Sequence, residues 1–132
     1  MTKTQAKKKI GELVARYESI RSTGRVSKYT EEETKKDFVL PLLETLGWGV
    51  YDKTEVSAEE QVSGKRVDYG FYYQERPVFY LEAKPLKADI HKEDYARQAI
   101  RYSWNKGVTW AILTNFDRLL VFNAQDIEQS LA

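Results

Sequence analysis

The stretch from Val67 to Pro85 constrains the fold of this chain more than any other segment, because it combines strand-forming residues with charges that a buried strand normally excludes. It reads VDYGFYYQERPVFYLEAKP. Aromatic and alternating apolar residues predict two strands, and the polar residues from Gln74 to Pro77 predict the turn between them. In the second strand Glu82 and Lys84 share one face by the two-residue period. A buried charge costs free energy unless it is paired or binds a metal, so this strand end is a candidate functional site.

Asp68 opens the first of these strands, and its position relative to Glu82 depends on the turn. Residues directly opposite each other in an antiparallel pair point to the same face of the sheet. A three-residue loop from Gln74 to Arg76 places Asp68 opposite Glu82, whereas a regular two-residue turn of Glu75 and Arg76 places it opposite Ala83. We therefore expect either the odd-numbered loop or a β-bulge.

The N-terminal third of the chain predicts two helices. Amphipathic spacing indicates a first helix over residues 3–21. The sequence Thr30-Glu31-Glu32-Glu33 has the form of a capping box and begins a second helix, which ends at Gly47. Pro41 lies inside this helix and should interrupt its hydrogen bonding near Asp37, because proline has no N–H to donate.

The rest of the chain predicts strands around one further helix. A short strand is expected over residues 48–51, and the polar segment from Asp52 to Lys65 is expected to be a loop or a wide hairpin. A helix follows from Ile90 to about Lys106, with Asp89 as its N-cap and Gly107 as its C-cap. Strands over residues 108–114 and 119–122 complete a mixed α/β domain.

Composition excludes several classes of protein and site. The chain contains no cysteine, so it has no disulfide framework and no thiolate zinc site. Its single histidine, His91, cannot form a histidine-rich metal site, and no Gly-rich phosphate loop is present. No apolar run is long enough to span a membrane, and we expect a cytoplasmic protein. With 21 basic and 20 acidic residues, net charge gives no indication about nucleic acid.

Asp68, Glu82 and Lys84 together have a coherent chemistry. Two carboxylates on adjacent strands can hold a hard divalent cation, Mg²⁺ or Mn²⁺, and the backbone carbonyl of Ala83 can add an oxygen ligand. Lys84 then lies near a metal-bound water, and its ammonium helps to stabilise charge on a phosphate. The alternative is a surface salt bridge between Glu82 and Lys84, with Asp68 as a turn residue.

Two facing carboxylates should also affect each other's ionisation. In the absence of metal, we expect the pKa of at least one of them to be raised, with Lys84 offsetting part of the repulsion. Asp68→Asn, which removes one of these charges, should leave the metal-free protein as stable as the wild type or more stable.

Four segments in a fixed order carry a family resemblance: TEEETKKDFVLPLLETLGW, VDYGFY, YLEAK and QAIRY. They resemble the PD-(D/E)xK nuclease superfamily, and more closely the N-terminal nuclease domain of type I restriction enzyme motor subunits and of single-chain type IIG restriction-modification enzymes. The similarity covers about residues 30–123. It implies a restriction-endonuclease-like core, a central mixed sheet flanked by helices, in a single nuclease domain over residues 1–132, either complete or part of a longer polypeptide. One departure is Val67, which stands where the superfamily motif has proline.

The resemblance also implies an activity and roles for individual residues. It implies Mg²⁺-dependent hydrolysis of phosphodiester bonds in double-stranded DNA by a metal-activated water, with Mn²⁺ as a substitute. Lys84 would serve the water and the transition state. The implied metal ligands are Glu31, with Glu32 as second choice, Asp68, Glu82 and the carbonyl of Ala83.

The last of the four segments places Gln98 and Tyr102 four residues apart on one helix face. The resemblance implies that they approach the site and organise the water or the DNA backbone; a packing pair between helix and sheet is the alternative. Basic residues of this region are candidates for phosphate contacts, although a solvated surface explains them equally well. They are Lys65, Arg66, Lys87, Lys92, Arg97, Arg101 and Lys106.

The implied biological role is restriction of foreign DNA, with motor, methyltransferase and specificity functions supplied by other domains or subunits. Two other functions stay open. The fold could serve as a non-cleaving module that binds DNA or a partner subunit, or the same chemistry could belong to a DNA repair nuclease or a junction resolvase.

Overall fold

One five-stranded sheet organises the computed structural model, which describes residues 2–62 and 65–126. The strands follow the order of the chain and comprise β1 (Val56–Val62), β2 (Lys65–Tyr73), β3 (Arg76–Ala83), β4 (Trp110–Thr114) and β5 (Leu119–Asn123). All neighbouring strands are antiparallel except β3 and β4, which are parallel. A parallel pair requires a crossover, and the helix Glu93–Asn105 provides it. The predicted α/β class with a central mixed sheet is confirmed.

Helices cover both faces of this sheet. They are α1 (Lys3–Ser22), α2 (Glu31–Thr34), α3 (Leu40–Thr45) and α4 (Glu93–Asn105), with a 3₁₀ turn at Val26–Lys28 and a π-helical turn at Lys35–Val39. Leu43 of α3 packs with Phe79 and Leu81 of β3 on one face. Ala99 of α4 packs with Leu113 of β4 on the other. Among the described residues, none of the helices combines the length and the apolar character that a membrane span requires.

The second helical stretch begins and breaks where its sequence predicts. The Thr30 hydroxyl accepts the N–H of Glu33 at 3.1 Å, and the Glu33 carboxylate accepts the N–H of Thr30 at 3.0 Å, which completes the capping box. Pro41 cannot donate to the carbonyl of Asp37. Arg16 of α1 donates to that carbonyl instead, at 3.2 Å.

The interruption takes the form of a π-helical turn between α2 and α3. Within it the N–H of Leu40 donates to the carbonyl of Lys35, five residues earlier. This turn brings Phe38 and Val39 into the core, where both are almost completely buried. π-Helical turns occur often at functional sites, and this one begins at a lysine that is also buried.

The β2–β3 hairpin differs from the expected three-residue loop. Its turn contains two residues, Gln74 and Glu75, and both have positive φ angles, 50° and 67°. Two-residue hairpin turns of type I′ need positive φ at both positions, because that geometry follows the right-handed twist of the strands. The loop expectation is therefore wrong.

The alternative expectation, a β-bulge, is confirmed. The pairing of β2 with β3 shifts by one residue next to Tyr72. Beyond the bulge Tyr69 lies opposite Leu81, so at the next position along the strands Asp68 lies opposite Glu82. The bulge therefore restores the register that the short turn alone would have lost.

Two predicted boundaries are wrong. Residues 48–51 form a turn and not a strand, because Trp48 folds back onto the core with its ring centroid 5.2 Å from that of Phe71. The first strand is β1, inside the polar segment from Asp52 to Lys65, and its antiparallel pairing with β2 agrees with the hairpin that was one of the two expectations for this segment. Helix α4 has Lys92 as its N-cap, because the Asp89 carboxylate accepts the N–H of His91 in a preceding turn.

Candidate active site

Asp68 and Glu82 meet at the end of the β2–β3 hairpin and hold each other's backbone. The N–H of Asp68 donates to Oε1 of Glu82 at 2.9 Å. The N–H of Ala83 donates to Oδ2 of Asp68 at 2.8 Å. Each carboxylate thus accepts a backbone N–H from the opposite strand, and the two acids have fixed orientations. The structure brings together the two strand acids that the sequence placed on one face.

Glu82 is the more deeply buried of the two acids, with 5% of its surface exposed. Burial and, next, the negative charge of Asp68 raise the pKa of Glu82 to about 7, although the bond from the Asp68 N–H and the charge of Lys84 act in the opposite direction. The expectation that at least one carboxylate has a raised pKa is confirmed.

Lys84 lies beside Glu82 and over an aromatic ring. Its Nζ is 3.8 Å from Oε2 of Glu82 and 4.6 Å from the ring centroid of Tyr95. Its backbone N–H donates to the carbonyl of Thr114 at 2.9 Å, so β4 fixes its position. Both side chains of the pair are largely buried, which contradicts the alternative of a surface salt bridge. The ammonium is held by a carboxylate on one side and by a ring face on the other.

The first turn of α2 is tied to the chain just after β3. The fully buried Thr34 hydroxyl donates to the carbonyl of Thr30 at 2.8 Å and accepts the N–H of Leu86 at 3.2 Å. Burial, and then the charge of Asp68, raise the pKa of Glu31. Glu31 is therefore within electrostatic reach of Asp68, and its side chain is 38% exposed, against 81% for that of Glu32.

Lys35 belongs to the same cluster, and the sequence reasoning missed it. Only 7% of its surface is exposed. Its Nζ lies 2.7 Å from Oδ1 of Asp68, 3.1 Å from Oε1 of Glu32 and 3.6 Å from Oε2 of Glu31. Burial lowers the pKa of Lys35, but the hydrogen bond and charge of Asp68, followed by those of Glu32, raise it overall. The available signal was its position one helical turn after Glu31.

Gln98 and Tyr102 of α4 act as a pair near the acids. Nε2 of Gln98 donates to the Tyr102 hydroxyl at 2.9 Å. The ring of Tyr102 is buried against Val67 and Tyr80. Burial raises the pKa of Tyr102, the bond from Gln98 lowers it, and the charge of Glu82 raises it further. The hydroxyl is therefore within electrostatic reach of the acids, and its ring also packs between helix and sheet.

A polar groove of about 390 Å³ runs along α4 beside this pair. Three of the seven candidate phosphate contacts, Lys65, Arg97 and Arg101, line it together with Gln98 and Tyr102. The other four do not line it. Arg66 forms an ion pair with Glu59, Lys92 lies near the Tyr95 ring, and Lys87 and Lys106 are exposed elsewhere.

The donor set suits a hard divalent cation in its chemistry, because carboxylate oxygens are the ligands that Mg²⁺ and Mn²⁺ prefer. Burial and mutual repulsion raise the pKa of both Glu31 and Glu82, so added positive charge would stabilise the cluster. In residues 2–62 and 65–126, however, no three acidic or histidine side chains converge closely enough to form a metal cluster. The cation that lies against Asp68 in this structure is the ammonium of Lys35.

Comparisons with known proteins identify related sequences and folds. Residues 30–132 match the family described as Type I restriction enzyme R protein N terminus (HSDR_N). The structure is similar to the fragment structure of a protein described as an HsdR subunit of a type I restriction enzyme from Vibrio vulnificus YJ016, with a TM-score of 0.60 and 25% sequence identity. That match covers 71% of this chain and 21% of the other, so this chain spans about a fifth of that relative. No curated protein matches.

Proposed function

This chain belongs to the family of type I restriction enzyme R protein N termini, and on that premise we propose that it is a metal-dependent endonuclease domain acting on double-stranded DNA. The reaction would be hydrolysis of phosphodiester bonds. The observation that carries the proposal is the pair of partly or fully buried acids, Asp68 and Glu82, locked by reciprocal backbone bonds beside Lys84. Two acids and a lysine fixed at a strand end are costly for stability, which supports a catalytic role.

Different residues of the site would have different roles in the reaction. A bound Mg²⁺, or Mn²⁺ in its place, would supply the positive charge that makes water a nucleophile and neutralises the phosphate. Lys84, oriented by Glu82 and the Tyr95 ring, would donate to a phosphate oxygen as negative charge develops there. The residues that would hold the cation are Asp68, Glu82, the carbonyl of Ala83 and Glu31, and binding would require the three acids to lie closer together than they do in this structure.

The groove along α4 would bind the DNA backbone next to the reacting phosphate. Lys65, Arg97 and Arg101 line it and can contact phosphate oxygens. Gln98 holds the Tyr102 hydroxyl within electrostatic reach of Glu82 and Asp68, where it can orient water or a phosphate oxygen.

In the cell, the whole protein would act in restriction of foreign DNA. The relative of known structure is described as a subunit of a type I restriction enzyme, and this chain covers only 21% of it. We therefore propose that motor, methyltransferase and specificity functions come from other domains or subunits.

Plasmid cleavage tests the proposal. The wild-type protein is incubated with supercoiled DNA and Mg²⁺ beside Asp68→Ala, Lys84→Ala and the exposed control Lys36→Ala. We expect cleavage by the wild type and the control, and loss of cleavage in both site variants. Equal cleavage by all four proteins would point to a contaminating nuclease and contradict the assignment.

A second candidate is a module on the same fold that binds DNA or a partner subunit without cutting. The observation that favours it is the ammonium of Lys35, which pairs with Asp68 in place of a metal. Calorimetry separates the two functions, because a non-cleaving module would bind DNA but no divalent cation. A repair nuclease or junction resolvase would keep the same chemistry, and it is distinguished by preferential cleavage of branched over linear duplex DNA.

A further inference from the structure

We propose that Lys35 is a tethered cation that occupies the metal position in the metal-free protein and must leave it before a divalent cation can bind. This inference rests on the proposed function, because it concerns the same acids. The proposal adds Lys35 to the site formed by Asp68, Glu82 and Lys84. It also implies that a metal ion must compete with the Lys35 ammonium for the acids.

The first support is the convergence of oxygens on one nitrogen. Three carboxylates direct an oxygen at Nζ of Lys35, at 2.7 Å for Asp68, 3.1 Å for Glu32 and 3.6 Å for Glu31. The lysine side chain is only 8% exposed. An ammonium surrounded by carboxylates in this way provides the charge neutralisation that a metal ion would otherwise provide.

The second support is that Lys35 and a metal ion would compete for one oxygen of Asp68. Oδ2 of Asp68 accepts the N–H of Ala83 at 2.8 Å, and a cation bound through Oδ1 would leave that hydrogen bond intact. Lys35 contacts that same Oδ1. Magnesium binds oxygen at about 2.1 Å. An ammonium and a divalent cation on one oxygen would therefore be near neighbours, and their like charges would repel each other.

The third support is a cavity into which the side chain of Lys35 can move. A cavity of about 330 Å³ opens beside it, lined by Glu32, Glu33, Lys36, Leu40 and Tyr69. The side chain of Glu32 is 81% exposed and its Oε1 is already 3.1 Å from the ammonium, so Glu32 can keep that ion pair while the lysine turns outward. The flexible four-carbon stem of lysine permits this movement without a change in the backbone.

Calorimetric titration with MnCl₂ tests the competition directly. Lys35→Met removes the ammonium and keeps a long side chain, whereas Lys36→Met removes the same charge from the exposed neighbour. We expect the Lys35 variant to bind Mn²⁺ at least tenfold more tightly than the wild type, and the Lys36 variant to bind like the wild type within about twofold.

The outcomes separate the two proposals. If the wild type binds Mn²⁺ and the Lys35 variant binds no more tightly than the Lys36 variant, the competition is refuted and the metal site stands. If none of the three proteins binds Mn²⁺, the metal site itself is refuted, and the competition with it.

A measurement on the wild type covers the case in which the Lys35 variant does not fold. Acylation by an amine-reactive ester, quantified residue by residue with mass spectrometry, reports how accessible each lysine is. We expect Mg²⁺ to raise the labelling rate of Lys35 several-fold relative to that of Lys36. An unchanged ratio at saturating Mg²⁺ would overturn the proposal, because it would mean that the ammonium stays in place when the cation binds.

Discussion

Glu82→Gln is expected to stabilise the metal-free protein at pH 8 and to change its stability little at pH 4.5 or below. Burial and the charge of Asp68 raise the pKa of Glu82 from 4.5 to about 7. Because the folded-state pKa lies above the unfolded-state value, the free energy of unfolding falls as pH rises from 4.5 to 7 and levels off above 7, and there is no such loss below 4.5. At 1.36 kcal/mol for each pH unit between the two pKa values, the cost at pH 8 is about 3 kcal/mol.

Glutamine is a suitable replacement, because its amide oxygen can still accept the N–H of Asp68. Thermal and urea unfolding in EDTA at pH 4.5 and pH 8 measure the effect, and at pH 8 we expect the melting temperature to rise by roughly 10 °C. Glu44→Gln, which removes an exposed carboxylate from α3, is the matched control and should change stability little at either pH.

Two results would refute this reasoning. Equal stability of wild type and Glu82→Gln at pH 8 would mean that the fold does not oppose ionisation of Glu82. A difference that grows as pH falls would mean that the carboxylate is stabilised in its charged form. Adding Mg²⁺ should reverse the order at pH 8, because a cation that binds only the folded wild type stabilises it by mass action.

Three further predictions concern the surroundings of the acids. Asp68→Asn should destabilise the metal-free protein by about 2–3 kcal/mol in urea unfolding, because it leaves the buried Lys35 without its closest charge partner; unchanged or higher stability would contradict the structure. Tyr102→Phe should reduce plasmid cleavage roughly tenfold or more with little change in unfolding free energy, whereas wild-type cleavage would assign Tyr102 to packing alone. Gly70→Ala should cost about 1–3 kcal/mol in thermal unfolding, because a Cβ there would lie 3.0 Å from Cε1 of Tyr80, and an unaffected melting temperature would refute that crowding.

The prediction for Asp68→Asn reverses the one made from sequence, and the reason is specific. From the sequence, Asp68 and Glu82 were two like charges with only Lys84 nearby. In the structure, Lys35 approaches from another element and bonds Oδ1 of Asp68 at 2.7 Å. The sign of the stability change from a charge mutation depends on every group that faces the mutated residue, and the sequence pattern identified only the groups within the β2–β3 hairpin.

Features that depend on a local period or on one residue's chemistry were predictable from the sequence. The two-residue period placed Glu82 and Lys84 on one face. The same period required either an odd-numbered loop or a bulge for Asp68 to lie opposite Glu82. The capping box at Thr30 and the interruption caused by Pro41 follow from which N–H groups can donate and which cannot. These results need no knowledge of neighbouring elements.

The tertiary structure determines which of two arrangements forms where the local sequence allows both. The sequence allowed a bulge or a longer loop, and the structure has the bulge, in a hairpin whose two turn residues adopt positive φ angles. It also decided that Lys35 turns inward, because the fully buried Thr34 of the same helical stretch bonds the chain beyond β3 and so sets that helix over the strand acids. Periodicity determines which side chains of one element share a face. Only the packing of one element on another determines which of their charged groups come into contact.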